Sequence, residues 1–240
     1  MDLMNEMKRK LFHTFIAAVF VLSLFSCAKG VRHPDEMGGL LDAEDTVIDR
    51  NIAVTDLLTI KRSDSGEAYF QLGHFKLWPD MEFDYDLPQR ALASLTITPD
   101  RINDYYKCIV DWIEPLENGV LKSSPDYASA PRNPDAGLDL LLDSDLTMLE
   151  DGFLSLHYNT WWGEHAVHHD FSLIGTENSG GVCTLSLVQD RNGDSKDFLS
   201  EGIICFDLSS LREPGGEHKT ISLNWIKLDG TEGTARFELE

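Results

Sequence analysis

Six runs in the second half of the chain alternate apolar and polar residues with a period of two, a spacing that fits half-buried β-strands and little else. In GFLSLHY, Leu154, Leu156 and Tyr158 share a face, and His169, Phe171 and Leu173 share the next. Cys183, Leu185 and Leu187 follow, then Ile204, Phe206 and Leu208, then Ile221, Leu223 and Trp225, and last Ala235, Phe237 and Leu239. Strands recurring in this way suit an antiparallel β-sandwich over residues 147–240. Asp229-Gly230 supplies a hairpin turn between the final two.

The runs of the first half are shorter: NIAVTDLLTIK, EAYFQL, HFKLW, ALASLTIT and YYKCIVDWIEPL. SDSG, PDMEFDYDLPQR and TPDRIND separate them and carry turn residues. None holds a helical period beyond two turns. Residues 47–122 therefore read as a small β-barrel or curled sheet of about five strands. SSPDYASAPRNPDAG combines prolines with Asp, Asn and Ser and lacks any large aliphatic residue, so residues 123–146 read as a linker.

Ahead of these domains stands a targeting segment. Lys8-Arg9-Lys10 is a basic region, and Leu11 to Ser26 is an apolar stretch too short for an ordinary membrane span. Leu24-Phe25-Ser26-Cys27 resembles a lipobox, which makes residues 1–26 a lipoprotein signal peptide and Cys27 the lipidated residue. Diacylglycerol on that thiol, with acylation of the new amine, would anchor the chain stably to a membrane. Residues 27–46 then form a polar tether. Ala28-Lys29-Gly30 lacks the acidic run that goes with surface export, so the expected location is the cell envelope, at a periplasm-facing outer-membrane anchor.

Charge narrows the partners. Twenty basic residues stand against 41 acidic ones, a formal net charge of −21. Nucleic acid is thereby an unsuitable ligand, since binding it requires phosphates to be neutralised by Lys and Arg.

The lipobox, the small β domain ending in YYKCIVDWIEPL, the proline-containing linker, and then DGFLSLHYNTWW, HHDFSLI, LSLVQDRNGDSKDFLSEGIICFDLSSL and KTISLNWIKLDGTEGTARFEL together resemble the NigD-like lipoproteins of Bacteroidetes. The resemblance implies an all-β fold, with an N-terminal OB-like barrel followed by the C-terminal sandwich. It also implies a link to bacteriocin production and an immunity role, and it carries over no catalytic residues.

Candidate sites follow from local chemistry. DRNGDSKDFLSE places side-chain oxygens at the positions of an EF-hand loop, making Asp190, Asn192, Asp194 and Glu201 candidate calcium ligands. However, Ser195 and Asp197 stand where such a loop needs Gly and an aliphatic residue, and the flanks are strand-like. Asn192-Gly193 favours a hairpin connection instead. His157, His165, His168 and His169 crowd together, but on a strand His168 and His169 point to opposite faces, which argues against zinc. Trp161 and Trp162, with Tyr158 and Trp112 as candidate neighbours, could stack on sugars or anchor a protein. The alternative is that one covers the core. Cys183 and Cys205 read either as buried thiols or as a disulfide.

There is no GxSxG elbow, no phosphate-binding Gly loop and no CxxC pair, so neither an enzyme nor a cofactor is expected. The expected function is that of a lipid-anchored envelope protein, held to the membrane through Cys27, that binds a protein or glycan partner without catalysis. The alternative is a carbohydrate- or calcium-binding envelope module serving glycan handling.

Overall fold

The computed structural model describes residues 47–82, 88–123, 136–165, 167–176, 182–211 and 219–239. The signal peptide, Cys27, the tether and residues 124–135 of the expected linker lie outside these described residues.

Five strands form the first unit of architecture: β1 (Ile52–Arg62), β2 (Ala68–Leu72), β3 (Phe75–Pro79), β4 (Gln89–Ile102) and β5 (Tyr105–Pro115). They close into a barrel in the order β1-β2-β3-β5-β4. Every pairing is antiparallel except β3 with β5. Alternate residues fill the interior, among them Leu57, Phe70, Leu77, Leu95 and Ile97. Register shifts between β4 and β5, at Ser94/Leu95 and Ile97/Arg101, bend the long hairpin far enough to close the sheet on itself.

The second unit is the sandwich. Its strands are β6 (Glu117–Asn118), β7 (Val120–Ser123), β8 (Leu138–Leu140), β9 (Met148–Glu150), β10 (Phe153–Trp162), β11 (Asp170–Thr176), β12 (Val182–Asp190), β13 (Phe198–Asp207), β14 (Lys219–Ile226) and β15 (Glu232–Leu239). One sheet runs β6-β13-β10-β8, with β9 also on β10; the other runs β15-β14-β12-β11-β7. Between β12 and β14 the chain crosses to lay β13 in the facing sheet, so β14 returns parallel to β12. All six alternating runs of the sequence are strands. Their expected faces meet in one core of Leu154, Leu156, Tyr158, Phe171, Leu173, Leu185, Ile204, Phe206, Ile221, Leu223 and Trp225, with Cys183, Ala235 and Phe237 partly buried at its margin.

The boundary between the units differs from the expected one. Glu117–Asn118 pairs with β13 of one sandwich sheet and Val120–Ser123 with β11 of the other. Leu138–Leu140, expected in the linker, pairs with β10. The barrel therefore ends at Pro115, because strands of two to four residues are too short to display a period. Between β6 and β7 sits Gly119, where a Cβ would fall 2.1 Å from the Phe206 ring; only glycine lets the chain pass there.

Barrel and sandwich meet through ionic contacts. Arg90 on β4 is fully buried and donates to Thr59 Oγ1 at 2.8 Å and to Glu150 Oε2 on β9 at 2.5 Å. Lys61 Nζ reaches Asp151 Oδ1 at 2.7 Å, in the tight turn from β9 to β10.

Candidate functional site

The acidic loop after β12 is a structural clamp. Asp190 Oδ1 accepts the Asn192 amide at 2.9 Å, and Asn192 and Gly193 take positive φ of 51° and 79°, as an Asn-Gly turn requires. Asn192 Nδ2 then donates to the His168 carbonyl at 2.8 Å and to Asp170 Oδ2 at 2.9 Å. Asp194 turns inward and is buried. Its carboxylate accepts the Gly163 amide at 2.7 Å, His169 Nε2 at 3.0 Å and the Ser195 amide at 3.0 Å. A Cβ on Gly163 would fall 2.2 Å from Asp194 Oδ1, so glycine is what lets the β10 end approach this carboxylate.

A polar chain continues inward from there. Gln189 Nε2 lies 2.7 Å from His169 Nδ1, and the Thr160 hydroxyl lies 3.0 Å from Gln189 Oε1 and 3.2 Å from the Gly137 carbonyl. A neutral imidazole satisfies both ends, with Nε2–H donating to Asp194 and Nδ1 accepting from Gln189. Burial lowers the His169 pKa, against the opposing pull of Asp194, and so favours that neutral form. Burial by itself would raise the Asp194 pKa, but the Gly163 amide and His169 outweigh it and hold the carboxyl below its ordinary range.

These contacts correct the calcium expectation. Asp194 spends its oxygens on the clamp, the Asn192 side chain is engaged through its NH₂ group, and Glu201 lies on β13 in the other sheet, 3.2 Å from His157 Nε2. Asp190, Asn192, Asp194 and Glu201 are not brought together, and among the described residues no three His, Cys, Asp or Glu are placed to hold a metal. The oxygen spacing of an EF-hand needs its own loop path and helical flanks to aim the oxygens at one point. This hairpin aims them apart.

The histidines disperse likewise. His157 Nδ1 is 2.8 Å from Ser144 Oγ, exposed His168 sits 3.1 Å from Glu117, and His169 is in the clamp. His165 is exposed in the turn that follows β10.

The two tryptophans also part company. Trp162 lies flat on His169, with ring centroids 4.0 Å apart and planes 5° apart, and its Nε1 donates to the Ser200 carbonyl at 3.3 Å. It joins the core margin. Trp161 points the other way, opposite Leu199, while Phe198 pairs opposite Trp162. Phe198 and Leu199 are 48% and 45% exposed, large apolar side chains held out at the start of β13. Of the other expected neighbours, Tyr158 packs inward on Phe171 and Trp112 lies on β5 of the barrel. Sequence reasoning missed Phe198 and Leu199; two adjacent apolar residues behind an acidic loop break the alternation that marks a core face.

Cys183 and Cys205 sit in different sheets and are not joined by a disulfide. Cys205 contacts Asn118 Oδ1 at 2.9 Å, and burial pushes its pKa up to about 12, so it stays a thiol.

Residues 142–239 match the NigD-like C-terminal beta sandwich domain. The sandwich is NigD-like. Solved structures share the whole two-part fold. A protein described as toxin-related from Parabacteroides distasonis ATCC 8503 is 21% identical over 79% of this chain and 94% of its own, with a TM-score of 0.61. A NigD-like immunity protein from Bacteroides caccae ATCC 43185 is 14% identical over 76% and 91%, with a TM-score of 0.53. A protein described as a lipoprotein from Bacteroides fragilis NCTC 9343 is 11% identical over 79% and 99%, with a TM-score of 0.58. At these identities the likeness is one of fold. A search of the curated proteins gives no match.

Within the NigD-like domain fall the clamp, the tryptophan pair and the exposed Phe198 and Leu199. Strands β6 to β8 precede the matched segment but complete its two sheets.

Proposed function

We propose that this chain is a lipid-anchored cell-envelope protein that works by binding, and that its sandwich docks a protein partner around the start of β13, where Leu199 and Trp161 share one face of the strand pair and Phe198 stands exposed on the other. The observation that carries the reading is the exposure of Phe198 and Leu199 at the start of β13, directly after the braced loop. Pairing with the end of β10, together with the Asp197 amide donating to the Trp162 carbonyl at 2.9 Å, fixes the backbone that carries them, so little ordering is left to oppose association. Glu164, Asp197 and Glu201 stand nearby in the chain, which suits a partner with an apolar centre and a basic rim. The name of the Bacteroides caccae relative points to immunity, and the partner proposed is a secreted toxin from which the anchored protein protects its own cell.

A protection assay tests this. Sensitive cells expressing the wild-type chain should survive secreted material from producer cells. Cys27→Ser should abolish protection by releasing the protein from the membrane. Phe198→Ser with Leu199→Ser should abolish it while leaving the melting temperature unchanged. Protection that survives both changes would refute the proposal.

A further inference from the structure

The outer face of the barrel carries a second, separate feature. β1, β2, β3 and β5 place Lys61, Tyr69, Trp78 and Lys107 in one row, through the pairs Lys61 with Tyr69 and Trp78 with Lys107. Tyr105 stands beside them and meets Tyr69 edge-on at 5.2 Å and Trp78 edge-on at 5.5 Å. All three rings are only half-buried. Lys76 Nζ lies 5.9 Å from the Tyr105 centroid. Beside the rings opens a groove of about 770 Å³ that holds Arg62 and Lys107 but also Glu67, Asp80, Glu82 and Asp100.

Two observations say what such a face is for. Aromatic rings set edge-on to one another, on strands that already have a filled interior, offer apolar surface that the barrel core does not need. In a chain of net charge −21, Lys76 and Lys107 are exposed and meet no carboxylate of the described residues at ion-pair distance. Lys61, by contrast, is spent on Asp151. Strand spacing and rise put the Lys76 and Lys107 backbones roughly 8 Å apart.

We infer that this face binds a glycan whose carboxylates are spaced by neutral sugar rings, with pyranose faces against Trp78 and Tyr105 and the acid groups on Lys76 and Lys107. The acidic body limits the charge density the face can accept. A polymer with a charge on every residue meets long-range repulsion that two lysines do not overcome, whereas a sparsely charged one meets little. The inference stands apart from the sandwich partner, since the two surfaces share no residue.

Calorimetry on the mature chain carrying Cys27→Ser tests it, with a hyaluronan octasaccharide as the sparse acidic probe, a cello-oligosaccharide as the neutral probe and heparin as the dense one. Binding of the hyaluronan probe that weakens with salt, and neither other probe binding as well, is the expected result. Lys76→Gln with Lys107→Gln, both on exposed side chains, should lower affinity at least about tenfold without changing the melting temperature. Trp78→Ala should also lower it, and Phe198→Ser should not. No hyaluronan binding at millimolar concentration would overturn the inference, as would binding indifferent to the lysine substitutions or equal binding of the neutral probe.

Discussion

Trp162 and His169 lie parallel and in contact, 4.0 Å between centroids, so the indole covers the imidazole that holds Asp194. One side chain of an adjacent tryptophan pair thus maintains the interior, while the residues opposite the pair face solvent. Trp162→Ala should cost about 2–4 kcal/mol in urea unfolding, from lost burial and a wetted His169. Phe198→Ser should stay within about 0.5 kcal/mol. Equal losses in the two variants would show that Phe198 is a packing residue.

Acid should weaken the fold in two stages. The folded pKa of His169 is lowered, so as pH falls through about 6.5 the unfolded chain takes a proton that the folded chain refuses, and stability declines. The folded pKa of Asp194 is also lowered; its contribution is complete above the ordinary Asp range and is lost as pH falls below it. His169→Gln should remove the first stage and leave the second, as read from unfolding midpoints between pH 8 and pH 3. A wild-type profile flat from pH 7 to pH 5 would contradict the assignment of His169 as neutral.

The junction between barrel and sandwich should respond asymmetrically. Arg90 is fully buried, whereas the Glu150 side chain is 30% exposed. Glu150→Ala strands a buried guanidinium and should cost about 3 kcal/mol. Arg90→Met fills the same space and leaves only a carboxylate that can turn to water, so it should cost about 1 kcal/mol or less. Denaturant unfolding of the two variants decides the order.

Calcium should leave the protein unmoved. With Asp194 engaged inward and Glu201 on the facing sheet, millimolar calcium should shift the melting temperature no more than the same ionic strength of sodium chloride. A calcium-specific rise would require the loop to rearrange.

Gly163→Ala should destabilise by about 1–3 kcal/mol, because the new methyl collides with Asp194 Oδ1 and the clamp has to open. Full retention of stability would mean that the β10 end yields more easily than its contacts suggest.

What could be read in advance follows from the range of each interaction. The faces of β10 to β15 were legible because period-two alternation is a local property of five or more residues. The short strands β6 to β9 were not, since their pairing is decided by partners elsewhere in the chain. Arg90 lies in an apolar run, and nothing around it announces Glu150, sixty residues away. The Asn192-Gly193 turn was evident from two residues, yet the direction of Asp194 was not, because it depends on Gly163 leaving room.

The path from Glu117 to Ser123 bears on how such a molecule can be divided. One stretch of seven residues gives a strand to each sandwich sheet, on either side of a glycine. A fragment starting at residue 142 would keep the matched domain but lose β6, β7 and β8, uncovering hydrogen-bonding margins on both sheets and inviting edge-to-edge association. The inheritable piece therefore begins at Leu116. Gene shuffling that cuts within the proline-rich stretch would pass on a sandwich whose closing strands stayed behind with the barrel.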